Sequence, residues 1–97
     1  MRDGSIYYTA TTGTNKVVTA KPALLQRIII GTDVGSSVVE VSDHASDGNG
    51  NVKIYLADSN LGTKYGVIEV NAVFQNGICM DLTNQTYVTV VYTNLGA

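Results

Sequence analysis

Apolar residues in this chain come in short runs that repeat at every second position. In the segment 52–56, Val52, Ile54 and Leu56 are apolar, and Lys53 and Tyr55 lie between them. A period of two indicates a β-strand with one buried face, and no segment shows a helical period. Clusters of Gly, Asn and Asp separate the runs, as turns do. The pattern predicts about eight short strands, at 6–11, 16–20, 23–30, 37–42, 52–56, 66–74, 78–82 and 87–93.

The fold class follows from the connections between these strands. No helix of crossover length lies between them, which excludes a parallel βαβ arrangement. The chain of 97 residues is long enough for one domain. We therefore predict a single all-β domain, built as an antiparallel β-sandwich or a barrel.

Two local features make this prediction more specific. Leu25 and Ile28 are an odd number of positions apart, so both can face the core only if a β-bulge lies near Gln26 and Arg27. The Asn76-Gly77 pair predicts a hairpin turn. The last strand has Val and Tyr at both odd and even positions, and therefore on both of its faces. We expect it either to be covered on both sides or to contact another subunit.

The densest group of candidate ligands is the segment 42–51, SDHASDGNGN. An EF-hand loop beginning at Asp43 would place Ala45 and Ile54 at ligand positions, and zinc would need more His or Cys than the chain has. Asp, Asn, Ser and Gly are also the residues that form turns. We predict a hairpin or strand-crossing loop with His44 facing solvent, and a bound cation remains the alternative.

Charge and composition exclude other classes. The net charge is −2 and the six Lys and Arg residues are scattered, so direct nucleic-acid binding is not expected. No apolar run has the length of a membrane span. The N-terminus lacks the apolar region of a signal peptide, so we expect synthesis and folding in a cytoplasm. Charged residues make up only 14%, which suits contact with other proteins.

No feature predicts an enzyme or a cofactor. Cys79 is the single cysteine and excludes an intrachain disulfide, and we interpret it as a small strand residue. Phosphate-binding, nucleophile-elbow and metal-ligand motifs are absent. The triplet 84–86, Asn-Gln-Thr, matches a glycosylation sequon and is interpreted as a turn.

Three groups of apolar and turn residues follow one another along the chain. They are Leu25, Ile28 and Ile30 in a Leu-x-x-Ile-x-Ile strand, Phe74, Asn76, Gly77 and Ile78 around the Asn-Gly turn, and Val88, Val90 and Tyr92 in the last strand. In this order, over residues 24–92, the chain resembles a group of short bacteriophage virion proteins. The resemblance implies a jelly-roll-like β-sandwich and a role as a capsid decoration, or cement, protein.

The resemblance also implies partners. It implies binding to the major capsid protein on the capsid exterior and a homo-oligomer, with a trimer favoured. Residues 1–21 lie before the region of resemblance and would form an N-terminal arm or an extra hairpin. If this segment makes the contacts, deleting residues 1–20 would release the protein and leave the fold intact. The candidate contact residues are Ile6, Tyr7, Tyr8, Val17 and Val18.

Two other functions stay open. Within the virion class, a fibre, spike or connector component is the alternative. Outside it, a carbohydrate- or receptor-binding β module could use surface tyrosines as stacking platforms, although strand tyrosines more often pack or form interfaces. Copy number in particles and glycan binding would discriminate these hypotheses.

Overall fold

The computed structural model describes residues 5–57 and 66–95, without the side chains of 31–37, 57 and 84–86. Within this part of the chain every regular element is a β-strand, and nothing there forms a helix able to cross a membrane. The six strands are β1 (Ile6–Ala10), β2 (Gly13–Thr19), β3 (Ala23–Ser42), β4 (Val52–Ala57), β5 (Gly66–Phe74) and β6 (Ile78–Asn94).

Two long strands organise the molecule. β3 has 20 residues and β6 has 17, and they pair antiparallel from one end to the other. The register of this pair shifts repeatedly from Ile30 to Val38. The four residues of β3 that lie between Asp33 and Val38 have no partner in β6. At this point both strands pass together from one layer of the sandwich to the other. Each long strand therefore contributes one segment to each of two sheets.

The two sheets have four strands each, all antiparallel. The first sheet has the order β1, residues 88–94 of β6, residues 23–30 of β3, and β5. The second sheet has the order β2, residues 78–83 of β6, residues 38–42 of β3, and β4. The predicted antiparallel β-sandwich is confirmed.

The strand order is that of a jelly roll. Counted along the chain, the eight segments pair first with eighth, second with seventh, third with sixth and fourth with fifth. One long antiparallel hairpin would pair in this way. The contacts between β3 and β6 join third to eighth and fourth to seventh, so the hairpin is rolled up until two sheets face each other.

The core lies between the sheets and follows the predicted alternation. Leu25 and Ile28 are both fully buried, because the register against β6 shifts between Leu25 and Arg27 and Gln26 is the extra residue. The predicted bulge is thus confirmed. The apolar side chains that form one buried cluster are Ala10, Val18, Ala23, Leu25, Ile28, Ile30, Val39, Val41, Phe74, Ile78, Met80, Leu82, Val88, Val90 and Tyr92.

Two predictions about the ends of strands were wrong. The segments 31–36 and 83–86 were expected to interrupt strands, yet the backbone continues as strand through both. The sequon triplet 84–86 therefore lies inside β6 rather than in a turn, and Gln85 pairs with Asp33. The turn-forming residues there are held extended because the partner strand supplies backbone hydrogen bonds.

The N-terminal segment is part of the sandwich. β1 and β2 each pair with β6, in different sheets, so the described part of 1–21 forms neither a separate arm nor a hairpin of its own. Ala10 and Val18 contribute to the core. Deleting residues 1–20 would remove an edge strand from each sheet, so that deletion cannot separate binding from folding.

Candidate protein-binding surface

The outward side of the first sheet is one candidate surface, which we call the first face. Strand register brings its side chains into rows, because residues two apart on a strand share a face. One row runs from Val67 to Thr9 and the next from Glu69 to Tyr7. The first face consists of Tyr7, Thr9, Leu24, Arg27, Ile29, Val67, Glu69, Val73, Thr89, Val91 and Thr93.

The first face is largely apolar and has exposed side chains at both of its edges, whereas Val91 in its middle is fully buried. Tyr7 is 64% exposed, Val67 59% and Val73 56%. Its charged members are Arg27 and Glu69, whose Nε and Oε2 atoms lie 3.3 Å apart in an ion pair. The pair brings opposite charges together, so the face carries no net charge. Large apolar side chains around a neutralised pair form a surface that water solvates poorly.

Hydrogen bonds between side chains satisfy polar groups on this face. The hydroxyls of Thr9 and Thr89 lie 2.8 Å apart, across β1 and β6. The bulge residue Gln26 donates to the Thr93 hydroxyl at 3.1 Å and accepts from the Ser5 hydroxyl at 3.2 Å. These bonds satisfy polar groups within the sheet, which leaves fewer of them to hold water at the surface.

The outward side of the second sheet, the second face, is different. It carries Glu40 and Asp81 side by side in register, with Ser42 and Cys79 in the next row. Neither Ser42 nor Cys79 has any exposed surface. The loop 43–51 covers them, and the buried Ser42 hydroxyl donates to the Gly48 carbonyl at 2.7 Å.

Gly48 is the closest contact between the loop and the second face. A Cβ atom at this position would lie 2.7 Å from the Met80 carbonyl carbon and would also meet the Asp81 carboxylate. The Gly48 N–H donates to Asn15 Oδ1 at 2.9 Å, and the Asn15 N–H donates to Asp81 Oδ1 at 2.8 Å. Glycine is therefore needed for the loop to reach the sheet.

The loop is also held by its own side chains. His44 Nδ1 accepts hydrogen bonds from the N–H groups of Ser46 at 3.1 Å and Asp47 at 3.0 Å. Asp47 Oδ1 accepts from the Asn49 N–H at 2.9 Å. The buried Asp43 carboxylate accepts from the Asn76 N–H at 2.7 Å, which ties the loop to the 75–77 turn.

The loop is a hairpin connection between β3 and β4, as predicted. His44, however, is only partly exposed and caps the backbone instead of facing solvent. In residues 5–57 and 66–95, no three His, Cys, Asp or Glu side chains lie close enough together to hold a metal ion. The polar groups of this loop hold it against the second face.

Burial alters two titratable groups. Burial, and then the Asp81 carboxylate, raise the pKa of the Cys79 thiol, which is free and fully covered. Burial, and then neighbouring Tyr8, raise the pKa of the Tyr92 hydroxyl. Both groups therefore keep their protons at neutral pH. A protonated, covered thiol is a poor nucleophile, in line with a packing role for Cys79.

The structure divides the candidate contact residues. Tyr8 packs against the core and Val18 belongs to it, so neither can lead a contact. Ile6 and Tyr7 are exposed on β1, at the edge of the first sheet, whereas Val17 is exposed on the second sheet. Sequence reasoning identified Tyr7 on the first face but missed Val67 and Val73 on the same face. Alternation identifies two faces of a strand but does not say which of two apolar faces is open.

Comparisons of the chain with known proteins found no similar protein. No protein-family model matches the chain, and no curated protein or solved structure matches it.

Proposed function

We propose that this chain is a structural virion protein that decorates a bacteriophage capsid and stabilises the shell by binding the major capsid protein. The first face carries this proposal, because it presents Tyr7, Val67 and Val73, each more than half exposed, around a neutralised ion pair. Exposed apolar side chains on the outer face of a small protein mark a candidate site of interaction.

The physical basis is burial of apolar surface. Covering exposed apolar area contributes roughly 25 cal/mol per Å², and β-branched side chains held rigid in a sheet lose little conformational freedom when they are covered. A decoration protein has to stay bound through surface complementarity alone. A sheet rich in Val and Thr, with side-chain hydroxyls already hydrogen-bonded to each other, suits that task.

The second face supports the proposal less well. The chain's own loop covers Ser42 and Cys79, and the carboxylates of Glu40 and Asp81 lie beside them. A partner binding there would have to desolvate these carboxylates or displace the loop. We therefore assign the capsid contact to the first face, with the second face directed away from the shell on the particle exterior.

The resemblance to virion proteins has a structural counterpart. The residues that carry it lie in the core or in the 75–77 turn, where they hold the two sheets together. They therefore support the jelly roll. The task remains a proposal, and the trimer is implied by the resemblance alone.

The sugar-binding alternative has weaker support. Tyr7, Tyr55 and Tyr87 are more than half exposed, which a stacking platform needs. Tyr55, however, lies on β4 of the second sheet and Tyr7 on β1 of the first, so they face opposite sides of the sandwich. A fibre, spike or connector would use the same first face, and only its copy number would differ.

Quantitative mass spectrometry of purified particles of the phage that encodes this chain tests the proposal. A ratio to the major capsid protein near one, or a simple fraction of it, is the expected result. A few copies per particle would assign the chain to a fibre, spike or connector. Complete absence from particles would contradict a virion role.

A further inference from the structure

The open edges of the sandwich differ in how they are protected. An edge strand presents unpaired N–H and C=O groups, and proteins usually blunt such edges with bulges or charged residues. β2 contains two register shifts and Asn15 at φ 53°. β5 contains a shift and Asn71 at φ 52°. β4 carries an exposed Lys53 and a shift near its start.

β1 lacks these devices. It pairs with β6 over five consecutive residues without a shift, from Ile6–Tyr92 to Ala10–Val88. Its sequence, IYYTA, contains no charge, no Pro and no Gly. Among the described residues, no strand pairs with its other side. β1 therefore offers a regular, uncharged backbone edge with exposed Ile6 and Tyr7 beside it.

We propose that a second copy of this chain pairs with this edge, β1 against β1, antiparallel about a twofold axis at Tyr8. In this register Ile6 lies opposite Ala10 of the second copy, and Tyr7 lies opposite Thr9. A large side chain meets a small one at each of these positions, and no like charges are opposed. The two first sheets join into one sheet of eight strands.

The self-complementary register indicates that the strand pairing with β1 is the β1 strand of a second copy of this chain. An edge strand needs an extended backbone as its partner, and a twofold axis perpendicular to the sheet supplies one with matched side chains. The same axis places the first faces of both copies on one side of the joined sheet. The pairing itself does not rest on the proposed function, although it would double the surface available for a shell.

The test uses two oppositely charged variants of β1. Tyr7→Lys with Thr9→Lys places ammonium groups opposite each other in two pairs across the twofold axis, and Tyr7→Glu with Thr9→Glu does the same with carboxylates. Both side chains are exposed, so the monomer fold should persist, and circular dichroism checks this. Sedimentation equilibrium then measures self-association of each protein alone and of the two variants mixed.

The expected result is a wild-type mass twice the chain's 10.3 kDa. Each variant alone should have a dissociation constant about fivefold higher or more, because two like-charge pairs oppose each other across the axis. Mixing the two variants should restore the dimer, because each Lys then lies opposite a Glu. Restoration by mixing cannot result from misfolding.

Two control variants isolate the edge. Tyr55→Lys adds a charge beside Lys53 on the β4 edge and should dimerise like wild type. Val67→Lys with Val73→Lys changes the first face away from β1 and should also dimerise, even where it no longer binds capsids. A monomeric wild type, a trimer, or β1 variants that dimerise like wild type would each overturn the pairing.

Discussion

The two outer faces of this sandwich arise from the same strand pattern and differ in what covers them. On the first face, Val67 and Val73 stay more than half exposed. On the second face, Ser42 and Cys79 are fully covered, because the loop 43–51 folds back over β6. In this sandwich a loop of the chain itself, and not strand composition alone, makes part of one outer face unavailable to a partner.

The largest expected effect comes from the closest contact under the loop. Gly48→Ala would press a methyl group against the Met80 carbonyl and the Asp81 carboxylate. We expect the free energy of unfolding to fall by about 1–3 kcal/mol. Urea denaturation followed by circular dichroism measures this. Val67→Thr, a matched change on the open first face, should stay within about 0.5 kcal/mol of wild type. Equal effects at both positions would contradict the comparison.

A smaller effect is expected from the hydrogen bond that fastens the loop. Ser42→Ala removes the buried donor to the Gly48 carbonyl and should cost about 1 kcal/mol. Because the loop then opens more often, Cys79 should react faster with a disulfide reagent at pH 8. Thr89→Val removes a hydroxyl bond from the first face and serves as the control. Unchanged Cys79 reactivity in the Ser42 variant would argue against the loop as its cover.

Alkaline pH should weaken the fold through the two buried titratable groups. The pKa of Cys79 is raised above its ordinary 9.0 and that of Tyr92 above its ordinary 10.0. Above these ordinary values the unfolded chain loses protons that the folded chain keeps. Stability is therefore complete below about pH 9 and falls as the pH rises further. Urea midpoints measured from pH 7 to 11 should show this fall.

Variants separate the two contributions to this pH dependence. Cys79→Ala should flatten the fall that begins near pH 9, whereas Tyr92→Phe should flatten only the part above pH 10. If Cys79→Ala keeps the wild-type slope throughout, the second face does not protect the Cys79 thiol of the wild-type protein.

The smallest effect concerns the ion pair on the first face. Arg27 and Glu69 side chains are 36% and 60% exposed, so water and salt screen their attraction. Arg27→Gln should change stability by no more than about 1 kcal/mol, and 1 M NaCl should remove most of the difference. Denaturation at low and high salt measures this. A larger, salt-independent loss would mean that the pair supports the fold.

The sequence predicted much of the sandwich and little of its surface. The parity of Leu25 and Ile28 was enough to predict a bulge, because both residues had to reach one core. The prediction of a turn at 84–86 was wrong, because turn-forming residues stay extended when the partner strand satisfies their backbone hydrogen bonds. The cap at His44 could not be predicted, since it depends on how the loop folds back in three dimensions.

The β5 side of the first face was missed for a related reason. Val67 and Ile68 are nearly identical in chemistry, yet one faces solvent and the other packs against the core. Alternation separates the two residues, because Ile68 shares its side of β5 with Phe74, but alternation does not show that the outward side at Val67 is left uncovered.

The central claim is that the first face, and not the second, binds the shell. The most direct test incubates phage particles that lack this chain with each purified form of the protein. Quantitative mass spectrometry then measures how much of the added protein the particles retain. Wild type and Tyr55→Lys should be retained at the same ratio to the major capsid protein, and Val67→Lys with Val73→Lys should fall at least about tenfold. Equal retention of all three forms, or loss of Tyr55→Lys alone, would contradict the account.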